Sequence, residues 1–462
     1  MKRMIIFFAF VFSLTNVLAQ KSTNLTGMIA TLPEKRIEIS GLHGAHITIK
    51  TWDKNEVNVK VKFQIESSDK EYENKFRPGV MLTSTPSGDI TYVRFTVIDY
   101  HDEGFSLWKL FKRFYVNKEI SGEIYVPKKN SLTTDLKYGS LTLEDMEGEL
   151  NLNGVSNTVT LRRCTAIQTV ENNYGKTTIE QSGGNLKLEG TSSTVSISDF
   201  DGKIHAEADY STVTISRVKQ GVYVSDKSGK LKIEDVGGSV SLDADYSTVT
   251  VKNVKGFVDV NSTSGTVKVN NVEGVSVDAN YSDVDIIGVS GASGKPIYVK
   301  GQSGSLTLQD AVGNVSIDNP YSNIDLKNVK GNVELSAKSS QVTASELTGD
   351  WNSRTEYCSV KLRKLTANNI SMTNKSDGIE IRLLNVPHSI NIQNEYGSVS
   401  VRMPSGFSGN VELDSEYGSV HTNLPLKRKS RSSSEYATGK VGSGNGSIII
   451  GTKSGDIEVE TE

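Results

Sequence analysis

The residue types that most often carry chemistry are sparse in this 462-residue chain and do not cluster along it. Six histidines stand at 43, 46, 101, 205, 388 and 421 with no His-Glu-x-x-His pattern, and the two cysteines form no Cys-x-x-Cys pair. Spacing therefore supports no dedicated zinc site. The run Gly291-Ala-Ser-Gly294-Lys295-Pro296 has the glycines and lysine of a phosphate loop. Pro296, however, stands where Ser or Thr is needed, and no helical pattern follows. Aspartates such as Asp226, Asp243 and Asp245 occur singly, at positions expected to face outward or lie in turns, where a solvated carboxylate is the default. β-helix enzymes that cleave polysaccharides place acidic groups in a groove walled by long loops, and the connections here are too short for such walls. No catalytic residue, cofactor or metal is expected.

Side chains that could bind a partner are easier to find. Phe105-Ser-Leu-Trp108-Lys-Leu-Phe111-Lys-Arg-Phe114-Tyr115 is the one aromatic-basic cluster. Trp108, Phe111, Phe114 and Tyr115 could dock a partner or a membrane surface, although covering one end of the fold is the favoured reading. Tyrosines at 138, 174, 210, 246, 281, 321, 357 and 396 recur at about 36 residues, with Ser or Gly at the positions midway between. Such rings could stack on sugars, but alternation of large and small residues favours corner packing. Lys427-Arg-Lys-Ser-Arg431, followed by serines, is expected to be a solvated basic loop within 425–439 rather than an anion site. The formal charge of -3 gives no electrostatic reason to expect nucleic acid.

The elements that would position these residues come from an internal repeat. Tyr210-Ser-Thr-Val-Thr-Ile-Ser-Arg-Val218 returns as Tyr246-Ser-Thr-Val-Thr-Val-Lys-Asn-Val254, and related segments end at Val236 and Val272, a step of 18 residues. Apolar residues alternate within each step, as in strands with one buried face. So short a unit cannot bury its own apolar face, whereas stacked copies can. The expected fold is all-β, a parallel β-solenoid with rungs of about 18 residues, in which Val218, Val236 and Val254 share one inward column. That column extends from Met146 through Cys164, Ser182 and Phe200, slips by one at Val289, and resumes at Ala311, Val329, Leu347 and Leu365. Residues 290–296, rich in Ser and Gly, are expected to bulge from one rung. Cys164 and Cys358 would lie about eleven rungs apart, roughly 50 Å at the usual strand spacing, so no disulfide is expected between them.

Residues 1–19 read as a Sec signal peptide, with Lys2 and Arg3, an apolar run and Val17-Leu-Ala19 before Gln20. An exported, soluble chain without a transmembrane segment after cleavage is expected. Residues 20–129 alternate without the 18-residue step and would cap the first rung against edge pairing. Residues 130–462 would form the solenoid, some 18 rungs.

Ser228-Gly-Lys-Leu-Lys-Ile, Tyr396-Gly-Ser-Val-Ser-Val and Ser454-Gly-Asp-Ile-Glu-Val, with Gly44-Ala-His-Ile-Thr-Ile-Lys-Thr-Trp-Asp near the start, resemble the strand repeats of the bacterial DUF4097 putative-adhesin family. The resemblance implies an exported β-repeat protein. The expectation is a non-enzymatic, adhesin-like protein of the periplasm, outer surface or medium, with an envelope protein or glycan as partner. A periplasmic structural or regulatory scaffold is the alternative, and a polysaccharide-active enzyme a more distant one.

Overall fold

Val, Ile and Leu at alternate positions, with Thr, Ser, Lys and Asp between them, give each short segment one apolar face and one polar face. In Thr248–Ser262 the side chains of Val249, Val251, Val254, Val258 and Val260 are buried while Lys252 is exposed. The computed structural model describes residues 22–67, 70–85, 88–98, 116–292 and 294–462. The signal peptide expected at 1–19 and the cluster of Trp108, Phe111, Phe114 and Tyr115 lie outside them. The chain divides into two units, Met1–Gly229 and Lys230–Glu462. Strands dominate both, in a parallel β-solenoid of about 15 turns.

In the first unit each turn holds two strands. Leu150–Val155 pairs in parallel with Ile167–Asn173, which pairs with Gly183–Glu189. On the other face Thr158, Lys176, Thr194 and Thr212 lie in register, each 18 residues from the next. The corners between strands are left-handed. Tyr138, Ser156, Tyr174, Ser192 and Tyr210 occupy one with φ of 51–59°, and Asp145, Arg163, Gln181, Asp199 and Arg217 another with φ of 50–61°. Across the second corner the side chains pair from rung to rung, as in Arg163 Nε to Asp145 Oδ1 at 2.6 Å and Arg217 Nε to Asp199 Oδ1 at 2.6 Å.

The core is a set of columns. Met146, Cys164, Ser182, Phe200 and Val218 are buried in the first unit. In the second, Val236, Val254, Val272, Val289, Ala311 and Val329 follow one another through the register, including the one-residue slip expected at Val289. Cys164 and Cys358 are free and buried. Burial pushes the Cys164 thiol up to about 11, so it behaves as a small apolar group. Asp226 departs from expectation: it is 1% exposed and its Oδ1 accepts the Ser211 amide at 3.5 Å. It continues the inward alternation of Val222 and Val224 as the last residue of the same strand.

The ends of the chain do not stack in sequence order. The strands are β1 (Ser22–Ala30), β2 (Arg36–His43), β3 (Ala45–Trp52), β4 (Glu56–Ser67), β5 (Arg77–Ser84), β6 (Ile90–Ile98), β7 (Val116–Pro127), β8 (Leu132–Lys137) and β9 (Ser140–Glu144), with one short helix, α1 (Lys70–Lys75). The β2/β3 rung lies between β6/β7 and β8/β9, so consecutive rungs in sequence are parted by an earlier one. Antiparallel β4 and β5 cover β7 and β6, and β1 covers β4. The second unit repeats the device. Gly446–Ser454 pairs in parallel with both Ser389–Tyr396 and Gly409–Tyr417, and Ile457–Thr461 with both Val399–Met403 and Val420–Thr422.

Residues 425–439, expected as a loop, instead contain Lys427–Ser430 and the start of Glu435–Val441, an antiparallel pair. Glu435–Val441 also pairs antiparallel with Gly409–Tyr417, satisfying an edge that would otherwise be open. This hairpin, and a 22-residue step between Ser282 and Gly304, consume residues that an unbroken 18-residue count assigns to further rungs.

Candidate functional site

The tyrosine column is the feature the sequence misassigned. Tyr210 and Tyr246, expected to pack into a corner, are exposed, and all eight tyrosines of the column, with Tyr417, are 55–67% exposed. The left-handed corner explains the reversal. Ala244 points inward, Tyr246 at φ 49° turns the chain, and Ser247 takes the next inward place at 1% exposure. The ring is thus turned out to solvent, and the small buried residue is the serine that follows.

In the second unit the column contains Tyr246, Tyr281, Tyr321, Tyr357, Tyr396 and Tyr417, with Ser264, Ser303, Ser339 and Asp377 at the corners of the rungs between the first five. Tyr396 and Tyr417 are 21 residues apart, which sequence alone places on successive rungs. The intercalated strand puts Ser454 between them, in register with both. The alternation of ring and small residue is therefore a property of the stacked molecule. Gly304, which follows one small corner at φ 131°, admits no side chain, because a Cβ there would lie 2.0 Å from the Ser282 carbonyl oxygen.

Beside the rings runs a second alternating column that the sequence reading missed. In spatial order it is Lys338, Glu356, Lys375, Glu395, Lys453 and Glu416, the acidic residue preceding each tyrosine. Glu356 is bridged from both sides, by Lys375 at 2.9 Å and Lys338 at 3.4 Å, and Glu395 meets Lys453 at 3.7 Å. The signal was present as Glu-Tyr at three of these members and Lys-Ser at the other three, but the order of the last three members depends on the intercalated strand.

These side chains line a groove of about 830 Å³ together with Asp318, Ser336, Arg354, Thr373 and Gln393. Four basic and five acidic residues line it, so charge is compensated locally. A hydrogen bond from Lys375 holds the Glu356 carboxyl below the usual range, which keeps it an acceptor rather than a proton donor. A neighbouring groove of about 720 Å³, at the start of the same strands, has an amide ladder. There Asn314 Oδ1 accepts the Asn332 amide at 3.1 Å and Asn332 Oδ1 that of Asp350 at 2.9 Å.

Other candidate positions are placed as follows. Val218, Val236 and Val254 are buried. Among the described residues no group of three or more His, Cys, Asp and Glu is gathered as a metal site. No helix there is long and apolar enough to cross a membrane.

A putative cell adhesion protein from Clostridium sporogenes ATCC 15579 is a solved structure similar to this chain. It matches at 12% identity over 95% of this chain and 100% of its own, with a TM-score of 0.15, a likeness too low to bear on function. No curated protein matches significantly. The family model described as Toastrack DUF4097 spans residues 2–460, nearly the full length, and the chain belongs to that family.

Proposed function

We propose that this protein is an exported, non-enzymatic, adhesin-like β-solenoid of the cell envelope or surface, holding a partner along the outward face of Lys230–Glu462. The observation that carries this reading is the row of exposed tyrosines. A left-handed corner is suited by Gly, Asn or Asp, and a bulky residue there costs about 1 kcal/mol or more. Tyr246, Tyr281, Tyr321 and Tyr357 have φ of 49–62° and, at 55–67% exposure, leave most of their surface in solvent. A contact made outside the chain accounts for both facts. The lysine bridges to Glu356 favour binding over acid catalysis, because a carboxylate held between two lysines stays ionised and has no proton to give.

Co-sedimentation of the purified mature chain with envelope fragments tests the proposal. The wild type should pellet with the fragments, and Tyr357→Ala/Tyr396→Ala should remain in solution with an unchanged Tm. Equal pelleting of the two proteins would refute a docking role for the column.

A further inference from the structure

We propose that the tyrosine column and its groove bind an extended, neutral β-1,4-linked glycan, with one disaccharide unit per tyrosine. This inference rests on the docking role above and names its ligand.

Spacing is the first argument. Rings on every second rung stand about 10 Å apart, twice the separation of hydrogen-bonded strands. In an extended β-1,4-linked glycan successive sugars are turned over, so the same sugar face recurs once per disaccharide, a length close to this separation. Such a polymer meets each ring in the same way, and a ligand without that repeat does not. The match is maintained through Ser454, whose intercalation keeps Tyr396 and Tyr417 from occupying adjacent rungs.

Chemistry is the second. Tyrosine faces stack on the C–H face of a pyranose and leave the hydroxyls to the side. Glu356 and Glu395, each immediately before a tyrosine, are acceptors suited to those hydroxyls, and Arg354 and Gln393, three residues before the same tyrosines, line the same groove as donors. Each of these two carboxylates already has a lysine bridge, and with five acidic against four basic residues the groove has no excess positive charge to attract a polyanion. A neutral polyhydroxylated chain fits it, whereas a strongly acidic polysaccharide does not.

Calorimetry on the mature chain tests this with cello- and chito-oligosaccharides of two to eight sugars. Maltohexaose serves as the α-linked control and polygalacturonate as the anionic one. Affinity should rise roughly three- to tenfold for each added disaccharide, with maltohexaose and polygalacturonate much weaker. Tyr357→Ala should lower affinity for the hexaoses by a similar factor at unchanged Tm, and Tyr357→Trp should restore it. Absence of binding by both β-1,4 series, equal binding of maltohexaose, or indifference to Tyr357→Ala overturns the inference. If envelope co-sedimentation still depends on Tyr357 and Tyr396 while no oligosaccharide binds, the docking role stands and the partner is a protein. If co-sedimentation is also lost from the wild type, both readings fall.

Discussion

Val236 and Lys252 lie on adjacent rungs with opposite orientations, Val236 stacked on Val254 inside and Lys252 beside Glu234 outside. Val236→Asp would bury a carboxylate among valines and should cost more than about 4 kcal/mol, through an unpaired buried charge. Lys252→Asp should change Tm little, and similar Tm losses for the two variants would contradict the register. This much was legible, because alternation marks the inward positions. It also marked Asp226, where the pattern was the better guide than the charge. It failed at Tyr210 and Tyr246 because a left-handed corner reverses side-chain direction, and φ is not written in a two-residue period. Acid stability offers a second residue-scale test. Hydrogen bonds from Arg217 hold the Asp199 carboxyl below its ordinary value of 3.8, and Arg163 does the same for Asp145. A lowered folded-state pKa contributes stability above the unfolded value and loses it as pH falls through the folded one. Tm should therefore drop below about pH 4. Asp145→Asn/Asp199→Asn should flatten that drop while changing Tm little at pH 7, where exposed pairs contribute weakly.

The elements at either end of the chain were only partly legible, for a geometric reason. Periodicity tells which residues are equivalent, not which equivalent rungs touch. The β2/β3 rung and the strands Gly446–Ser454 and Ile457–Thr461 carry ordinary inward alternation, so nothing local announces that they intercalate. The hairpin around Lys427–Ser430 was equally hidden, since all four residues of that strand are exposed and show no alternation. Intercalation predicts an unusual effect of truncation. Gly409–Tyr417 is held by Gly446–Ser454 on one side and by the polar Glu435–Val441 on the other. Removing 446–462 should therefore abolish amide-exchange protection in 409–417 as well as expose 389–403, although neither segment is cut. Unchanged protection in 409–417 would mean that the two flanking rungs can stack directly, setting Tyr396 against Tyr417.

At the scale of a whole repeat array, stability is close to a sum of rung terms and nearest-neighbour interfaces, so what matters is whether a change preserves the stacking of equivalent positions. Within Lys230–Glu462 this gives a prediction in which the larger deletion does less harm. Removing 322–357 takes out 36 residues, two complete rungs, and joins Tyr321 to Cys358. Leu306 then stacks on Val360 and Val315 on Ile370, pairs that match the register now linking Leu306 to Ile324 and Val315 to Val333. Removing only Ser322–Lys330, nine residues, leaves one turn with a single strand and obliges every later rung to shift by half a turn or leave its neighbour unpaired. The first variant should keep a cooperative transition with Tm within about 5 °C of wild type, and the second should lose more than about 15 °C or fail to fold. Circular dichroism melts decide between them, and a greater loss for the 36-residue deletion would show that the rungs are not interchangeable units. The same reasoning separates fold from site. Removing 322–339, one rung, should also fold, but it brings Tyr321 and Tyr357 onto adjacent rungs and breaks the alternation, so it should lose envelope co-sedimentation while keeping its cooperative melt.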